Sequence, residues 1–396
     1  MPAPIDRAKL DEVLRPFGES RLLPREAYVD PEVFAFEHEQ FIRNQWVCIA
    51  RGEEIPARGD QRAISIGKDS VLLVRGDDLK VRAFANACRH RGHQLLPCES
   101  TANGRAIVCP YHAWGYALDG TLKAAPNFRE VASFDTADYP LLAMACEEWH
   151  GYVFLNASGT AAPLADHLGS LDSIVANYDI ASLVTKDRHE YVVASNWKVL
   201  SENYAECYHC PTIHPELCAV SPPESGGDYD GVGSWIGGWM DLMPGGETMS
   251  LDGSSQGEPI PGLNAEEAKT VGYIQVFPNL LISLHPDYVM THKLTPLSPG
   301  ETHIECTWAF PRSVAEKPGF DPSYAVDFWD ITNRQDWSAC ESVQSGLASP
   351  QWTPGPIAPM ESTVYRFETL VARGYLDQPL VPMSSEQPPL SATRVP

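Results

Sequence analysis

The chain has 396 residues, 43% of them hydrophobic, with 29 basic against 52 acidic side chains and a formal net charge of −23. That length can bury the cores of two domains, and the acidic excess argues against nucleic acid or an anionic membrane as partner. There is no apolar run long enough for a transmembrane helix, and the start "MPAPIDRAKLDEVL" lacks the basic, apolar, small-residue order of a secretory signal. A cytoplasmic location is the expectation.

In chain order, Asp30 reads as an N-cap and Pro31 as the first helical position of "EVFAFEHEQFIRNQW". Short alternating runs follow, "WVCIA", "RAISIG" and "SVLLVRGDDLKVRAFAN", the last turning at Gly76-Asp77-Asp78; they predict antiparallel strands. A further hairpin is expected from Trp114 to Leu122, turned at Asp119-Gly120, and a strand at "GYVFLN". A helical stretch then runs from Pro163 to Tyr178, a strand over 188–194 and a helix from Asn196. Beyond a Gly/Pro-rich passage from Pro211 to Gly262 come the strands "GYIQVF", "NLLISLH", "YVMTHKLTPL" and "THIECTWAF". A long helix from Asp321/Pro322 to about Ser345 closes the region.

Strands first, then helices segregated from a second set of strands, make an α+β protein. The expected division is an N-terminal helical segment over 1–44, an antiparallel β domain over 45–160, a second domain with an antiparallel sheet flanked by helices over 161–376, and an extended tail over 377–396.

Two clips of metal-binding residues stand between the first strands. Cys88 and His90 form one, Cys109 and His112 the other. A zinc ribbon repeats Cys-x2-Cys, and a zinc finger separates its cysteines from its histidines. One thiolate and one imidazole per clip suits instead a [2Fe-2S] cluster with two cysteines on one iron and two histidines on the other; structural zinc is the alternative. The remaining cysteines are expected to be reduced.

A second constellation is "SENYAECYHCPTIHPE". On a continuous helix Asn203, Glu206 and His209 share one broad face, Pro211 stops that helix, and the break brings His214 round. Two histidines and a carboxylate from elsewhere make the facial triad of non-haem Fe(II) enzymes. On the closing helix Ala325, Trp329, Thr332, Asp336, Cys340, Val343 and Leu347 form one stripe, in which Asp336 alone is charged. A carboxylate on a buried stripe must be paired, neutralised or metal-bound, which makes Asp336 the candidate third ligand. Asp330 has Arg334 four residues on and Glu341 lies off the stripe.

Cys88-x-His90 and Cys109-x2-His112, with a spacer slightly longer than the commonest form, resemble the Rieske motif. Neither clip has the extra cysteine of high-potential members, so the resemblance is to Rieske non-haem iron oxygenases. The pattern Glu206-x2-His209-x4-His214, preceded by Asn203, resembles the mononuclear iron motif of that family, whose commoner form begins with Asp, and "QDWSACESVQSGL" resembles the segment carrying its iron carboxylate. The resemblance implies Cys88, His90, Cys109 and His112 as ligands of the cluster, and His209, His214 and Asp336 as ligands of a mononuclear Fe(II). It implies Glu206 as the carboxylate bridging cluster and iron across subunits, with Asn203 beside it, in at least a homotrimer. No dinucleotide fingerprint follows any strand, so electrons are expected from a separate NAD(P)H-dependent flavin/iron-sulfur reductase or a ferredoxin.

Chain length and the Glu-for-Asp change resemble the branch of choline, glycine betaine, stachydrine and carnitine oxygenases. The implied reaction is O2-dependent N-demethylation of a small quaternary ammonium or N-methyl compound, with aromatic hydroxylation or O-demethylation as the alternative and a plain electron carrier as a reading from another class. Trp235, Trp239, Tyr273, Phe277 and Tyr288 are candidates for a cation–π cage, and each competes with a core role.

Overall fold

The computed structural model describes residues 2–385; the part of the expected tail from 386 to 396 lies outside the described residues. The chain divides into two compact units, Glu39–Leu164 on one side and Met1–His38 with Ala165–Pro396 on the other.

The smaller unit is built from β1 (Val47–Arg51), β2 (Asp60–Ile66), β3 (Asp69–Arg75), β4 (Val81–Ala85), β5 (Thr101–Asn103), β6 (Ile107–Val108), β7 (Gly115–Tyr116), β8 (Leu122–Ala124), β9 (Ala143–Trp149) and β10 (Tyr152–Asn156). Seven strands run in the order β1-β10-β9-β4-β3-β2-β5, and β6-β7-β8 form a separate small sheet, all pairs antiparallel. The run "VLLV" in β3 is buried on both faces because it divides two cores. Val71 and Leu73 pack with Ile49, Ile64, Val153 and Leu155. Leu72 and Val74 face the other way, into a cluster with Phe84, Cys88, Cys109, Trp114, Tyr116 and Leu118. The period-2 geometry of one strand thereby seats the loops that carry both cysteines.

The larger unit holds β11 (Val184–Val193), β12 (Gly227–Asp228), β13 (Trp235–Asp241), β14 (Thr270–Val276), β15 (Leu280–Leu284), β16 (Val289–Ser298) and β17 (Glu301–Phe310). They form one antiparallel sheet in the order β11-β17-β16-β15-β14-β13-β12. β13 lies inside the passage that reads as irregular in the sequence. Its glycines hide a strand because they permit close backbone approach: a Cβ on Gly237 would stand 2.4 Å from the Tyr273 carbonyl oxygen. The closing helix spans Ser323–Leu347, and a further helix, Ser362–Tyr375, is buried along most of its length. On the closing helix the expected stripe is buried except Asp336, which is half-buried, and Val343, which is 49% exposed.

The N-terminal segment as far as His38 belongs to this unit, with an α-helix over Pro31–Glu37 passing into a π-helical turn over His38–Arg43. Buried polar groups pin it. Lys198 Nζ donates to Glu37 Oε1 at 2.7 Å and Trp197 Nε1 donates to Glu37 Oε2 at 2.9 Å. Tyr28 Oη lies 2.8 Å from Glu202 Oε1 and 3.1 Å from Glu368 Oε1, and the Leu23 amide donates to Glu368 Oε2 at 2.5 Å. Burial pushes the Glu202 carboxyl up to about 7 and that of Glu368 well above its usual range. Among the described residues, no helix is long and apolar enough to cross a membrane.

Candidate metal centres and the catalytic cavity

Cys88 and His90 lie in the loop after β4, Cys109 and His112 in the turn between β6 and β7. Backbone bonds fix both loops. The Gly92 amide donates to the Cys88 carbonyl at 2.9 Å, the Ala113 amide to the Cys109 carbonyl at 3.0 Å and the Cys109 amide to the Trp114 carbonyl at 2.8 Å. Gly92 takes φ 71° and Ala113 φ 56°, so the second turn holds an L-residue in the left-handed region. Both thiols are buried and free, at 3% and 2% exposure. The His90 and His112 rings are 4.7 Å apart, and the His90 ring stacks on Trp114 at 5.0 Å. His90 Nδ1 is buried without a hydrogen-bond partner among the described residues. Burial pushes the Cys88 thiol up, so a thiolate needs a cation to hold it. Two buried thiols, an orphaned imidazole nitrogen and an exposed second imidazole fit a [2Fe-2S] centre with mixed ligation. Tyr116, which sequence reasoning missed, accepts from the Arg89 amide at 3.0 Å and has its hydroxyl 3.2 Å from the Cys88 sulfur. Hydrogen bonds to ligand sulfurs tune such centres.

In the larger unit the helix capped by Asn196 ends at Tyr204. The expected continuous helix through His209 is therefore corrected: Glu206 and His209 stand in the turn that follows. Pro211 does not stop a helix but occupies the first turn of the short helix Cys210–Ile213, where its missing N–H costs nothing. His214 sits between that helix and Pro215–Val220. The expectation of reduced cysteines is also corrected, since Cys207 and Cys210 form a disulfide. The turn holds their Cα atoms 4.9 Å apart, within the range a bridge requires.

These segments and the closing helix bring His209, His214 and Asp336 together, with one ligand atom from each within 4.8 Å of the others. His209 Nε2 is 3.2 Å from His214 Nε2 and 3.3 Å from Asp336 Oδ1, and His214 Nε2 is 2.8 Å from the same oxygen. The far ring nitrogens are anchored: His209 Nδ1 to Glu206 Oε1 at 2.5 Å and His214 Nδ1 to Gln335 Oε1 at 2.7 Å. Such partners fix the tautomer and aim Nε2 at a metal. Gln335 was missed, although it directly precedes Asp336; its Nε2 donates to Glu216 Oε2 at 3.1 Å. Asn203 Nδ2 approaches His209 Nε2 at 3.4 Å. Burial works against a charged His209 ring, but Asp336 and Glu206 outweigh it and raise its pKa to about 10. Asp336, which burial would raise, is held below its usual value by the two histidines. The set attracts positive charge and fits a divalent metal with two histidines and one carboxylate.

A cavity of about 290 Å³ opens on these three residues. Of the five aromatic candidates, Trp239 and Tyr273 line it. Trp235, Phe277 and Tyr288 are core residues, each no more than 1% exposed. Sequence reasoning missed Tyr204, Trp329 and Trp337 in the lining; Trp329 was already on the predicted stripe and Trp337 adjoins Asp336.

A β unit with a mixed Cys/His donor set and an α+β unit with a two-histidine, one-carboxylate set define an oxygenase that pairs an iron–sulfur cluster with a mononuclear iron. The family described as "Rieske [2Fe-2S] domain" matches residues 45–135, and that described as "Ring hydroxylating alpha subunit (catalytic domain)" matches residues 180–376. The chain belongs to the Rieske non-haem iron oxygenases. It is 29% identical over 411 residues to the glycine betaine monooxygenase oxygenase subunit of Chromohalobacter salexigens, covering 96% of this chain and 90% of that one. It is 39% identical over 199 residues to the carnitine monooxygenase oxygenase subunit of Escherichia coli K12, covering 50% and 53%. In fold it is similar to a solved quaternary ammonium Rieske monooxygenase described for carnitine oxidation and inter-subunit electron transfer, with TM-score 0.78, 24% identity, and 95% and 100% of the two chains covered.

Proposed function

We propose that this chain is the oxygenase component of a system that removes an N-methyl group from a small quaternary ammonium or N-methylated cation. The observation that carries the reading is the cavity lining. Tyr204, Trp239, Tyr273, Trp329 and Trp337 supply aromatic faces, and Glu206, Glu224, Asp228 and Asp336 supply negative charge. The substrates named for the relatives, glycine betaine and carnitine, each carry a quaternary ammonium group of this kind.

In this reading Cys88, His90, Cys109 and His112 hold the cluster, and His209, His214 and Asp336 the mononuclear iron. When bound, the cluster would supply single electrons and the iron the dioxygen chemistry. The chain's own groups orient and gate. Glu206 and Gln335 hold the two imidazoles, Asn203 borders the ligand face of His209, and the apolar walls limit water. The balance is one N–CH3, one O2, two electrons and two protons in; one N–CH2OH and one water out, with the carbinol releasing formaldehyde. The electrons come from an NAD(P)H-dependent reductase. The chain acts in the cytoplasm as a homotrimer, and Glu206 links His209 to His90 or His112 of a neighbouring subunit.

The test is turnover with a surrogate reductase on a panel of N-methylated amines and methoxylated aromatics, scoring formaldehyde and demethylated product. Formaldehyde from the amines is expected. Release from aromatic ethers alone would replace this reading with O-demethylation.

A further inference from the structure

The Cys207–Cys210 disulfide closes the turn that carries His209, so one half-cystine directly follows Glu206 and the other directly follows His209. Both cysteines line the cavity. They differ in exposure, Cys207 being half-buried and Cys210 3% exposed. The other eight cysteines are free, so this bridge is not part of a general disulfide framework.

The Cys210 sulfur lies 4.0 Å from His209 Nε2, the nitrogen aimed at His214 and Asp336. Two ligands of one tetrahedral metal, a sulfur at about 2.3 Å and a nitrogen at about 2.0 Å, stand about 3.5 Å apart. A shift of about half an ångström therefore brings this sulfur to a ligand position. While it is bonded to Cys207 it is a poor donor, and the site keeps its set of two histidines and one carboxylate. Freed as a thiolate, it adds a soft fourth donor. Three protein ligands leave a position open and four close it, and a thiolate shifts preference toward zinc.

We propose that the Cys207–Cys210 bridge is a reversible modification site that keeps a thiolate out of the metal centre, and that its reduction converts an open three-ligand site into a closed four-ligand site preferring Zn2+. A thiol reductant attacks the half-buried Cys207 sulfur, the S–S bond breaks, and Cys210 leaves as the thiolate. A second reductant thiol then releases Cys207, and the reductant departs as its own disulfide. Closure needs an oxidant: two thiols and one hydrogen peroxide give the bridge and two waters. In the cytoplasm proposed above, such bridges are characteristically transient or redox-sensing. The inference rests on the reading of His209, His214 and Asp336 as ligands of a divalent metal, and not on the ammonium substrate.

The test uses the full chain with its cluster in place and its mononuclear metal removed by a chelator, with Zn2+ as the probe in competition with a chromophoric chelator. Thiol reduction of the folded chain should open the bridge, so that alkylation on denaturation labels both Cys207 and Cys210 in peptide mass spectra. Hydrogen peroxide should then abolish that labelling. The reduced chain should bind Zn2+ at least about tenfold more tightly than the bridged chain, the size of effect that a change around a metal's ligands produces. Two serine variants, each shown to be folded by circular dichroism, separate a donor from a staple. Cys207→Ser, which leaves Cys210 permanently free, should bind Zn2+ like the reduced chain, and Cys210→Ser like the bridged chain, each regardless of reductant. A merely structural bridge would make the two variants alike, and that result overturns the proposal. Equal Zn2+ affinity in the two redox states, or a bridge that neither opens nor re-forms in the folded chain, also overturns it. If the bridged chain binds no divalent metal at all, the reading of the three ligands fails, and this inference with it.

Discussion

The two candidate metal centres are assembled in opposite ways. The cluster residues sit on two loops of a small β unit, locked by their own backbone hydrogen bonds, with buried sulfurs and an exposed His112. The mononuclear site draws His214 and Asp336 from positions 122 residues apart. Its ligands are mostly buried, and each imidazole is held by a further side chain. A centre that exchanges electrons benefits from an imidazole at the surface, whereas one that activates dioxygen benefits from shelter and from ligands held in one orientation. The centres should therefore fail independently.

The largest effect tests that independence. Cys109→Ser and Asp336→Ala should each abolish turnover. Metal analysis should find about three irons in the unaltered chain, about one in the first variant, and about two with cluster absorption intact in the second. Loss of both centres in either variant would break the comparison. Smaller losses should follow from the supporting residues of the mononuclear site. Glu206→Gln should retain both metals and lower turnover about 10- to 100-fold, and Gln335→Leu should weaken iron binding by a similar factor while leaving the cluster spectrum unchanged. Normal turnover in Glu206→Gln would remove its bridging role.

The smallest expected effect lies in the acidic anchor of the larger unit. Burial raises Glu202 to about 7 and holds Glu368 well above the usual carboxyl range, so both favour the protonated form in the folded chain. The stabilising contribution of Glu202 is complete below its unfolded carboxyl range, near 4.5, and declines as pH rises through about 7. Thermal midpoints followed from pH 5 to 8 should fall more steeply for the unaltered chain than for Glu202→Gln. Equal slopes would show that this carboxyl does not titrate in that window.

Glu206, His209 and His214 could be read from their spacing and resemblance, yet the helix drawn through them was wrong. Helical periodicity continues past Tyr204 in the sequence, while in the structure Glu206 turns its carboxylate onto the following amides and His209 leaves the helical line. β13 was missed because glycines that suit close strand approach also read as loop. Trp235, Phe277 and Tyr288 could not be told from Trp239 and Tyr273 by residue type, since a large ring is equally at home in a core or a cavity wall.

By itself the sequence picked out both sets of candidate ligands. A clip of Cys-x-His or Cys-x2-His commits its atoms within one loop, and a lone carboxylate on an apolar helical stripe demands a partner wherever it folds. Only the tertiary structure decided which rings face the cavity and that Gln335 supports His214. Those outcomes depend on strand register and on the packing of residues far apart in the chain, neither of which local spacing encodes.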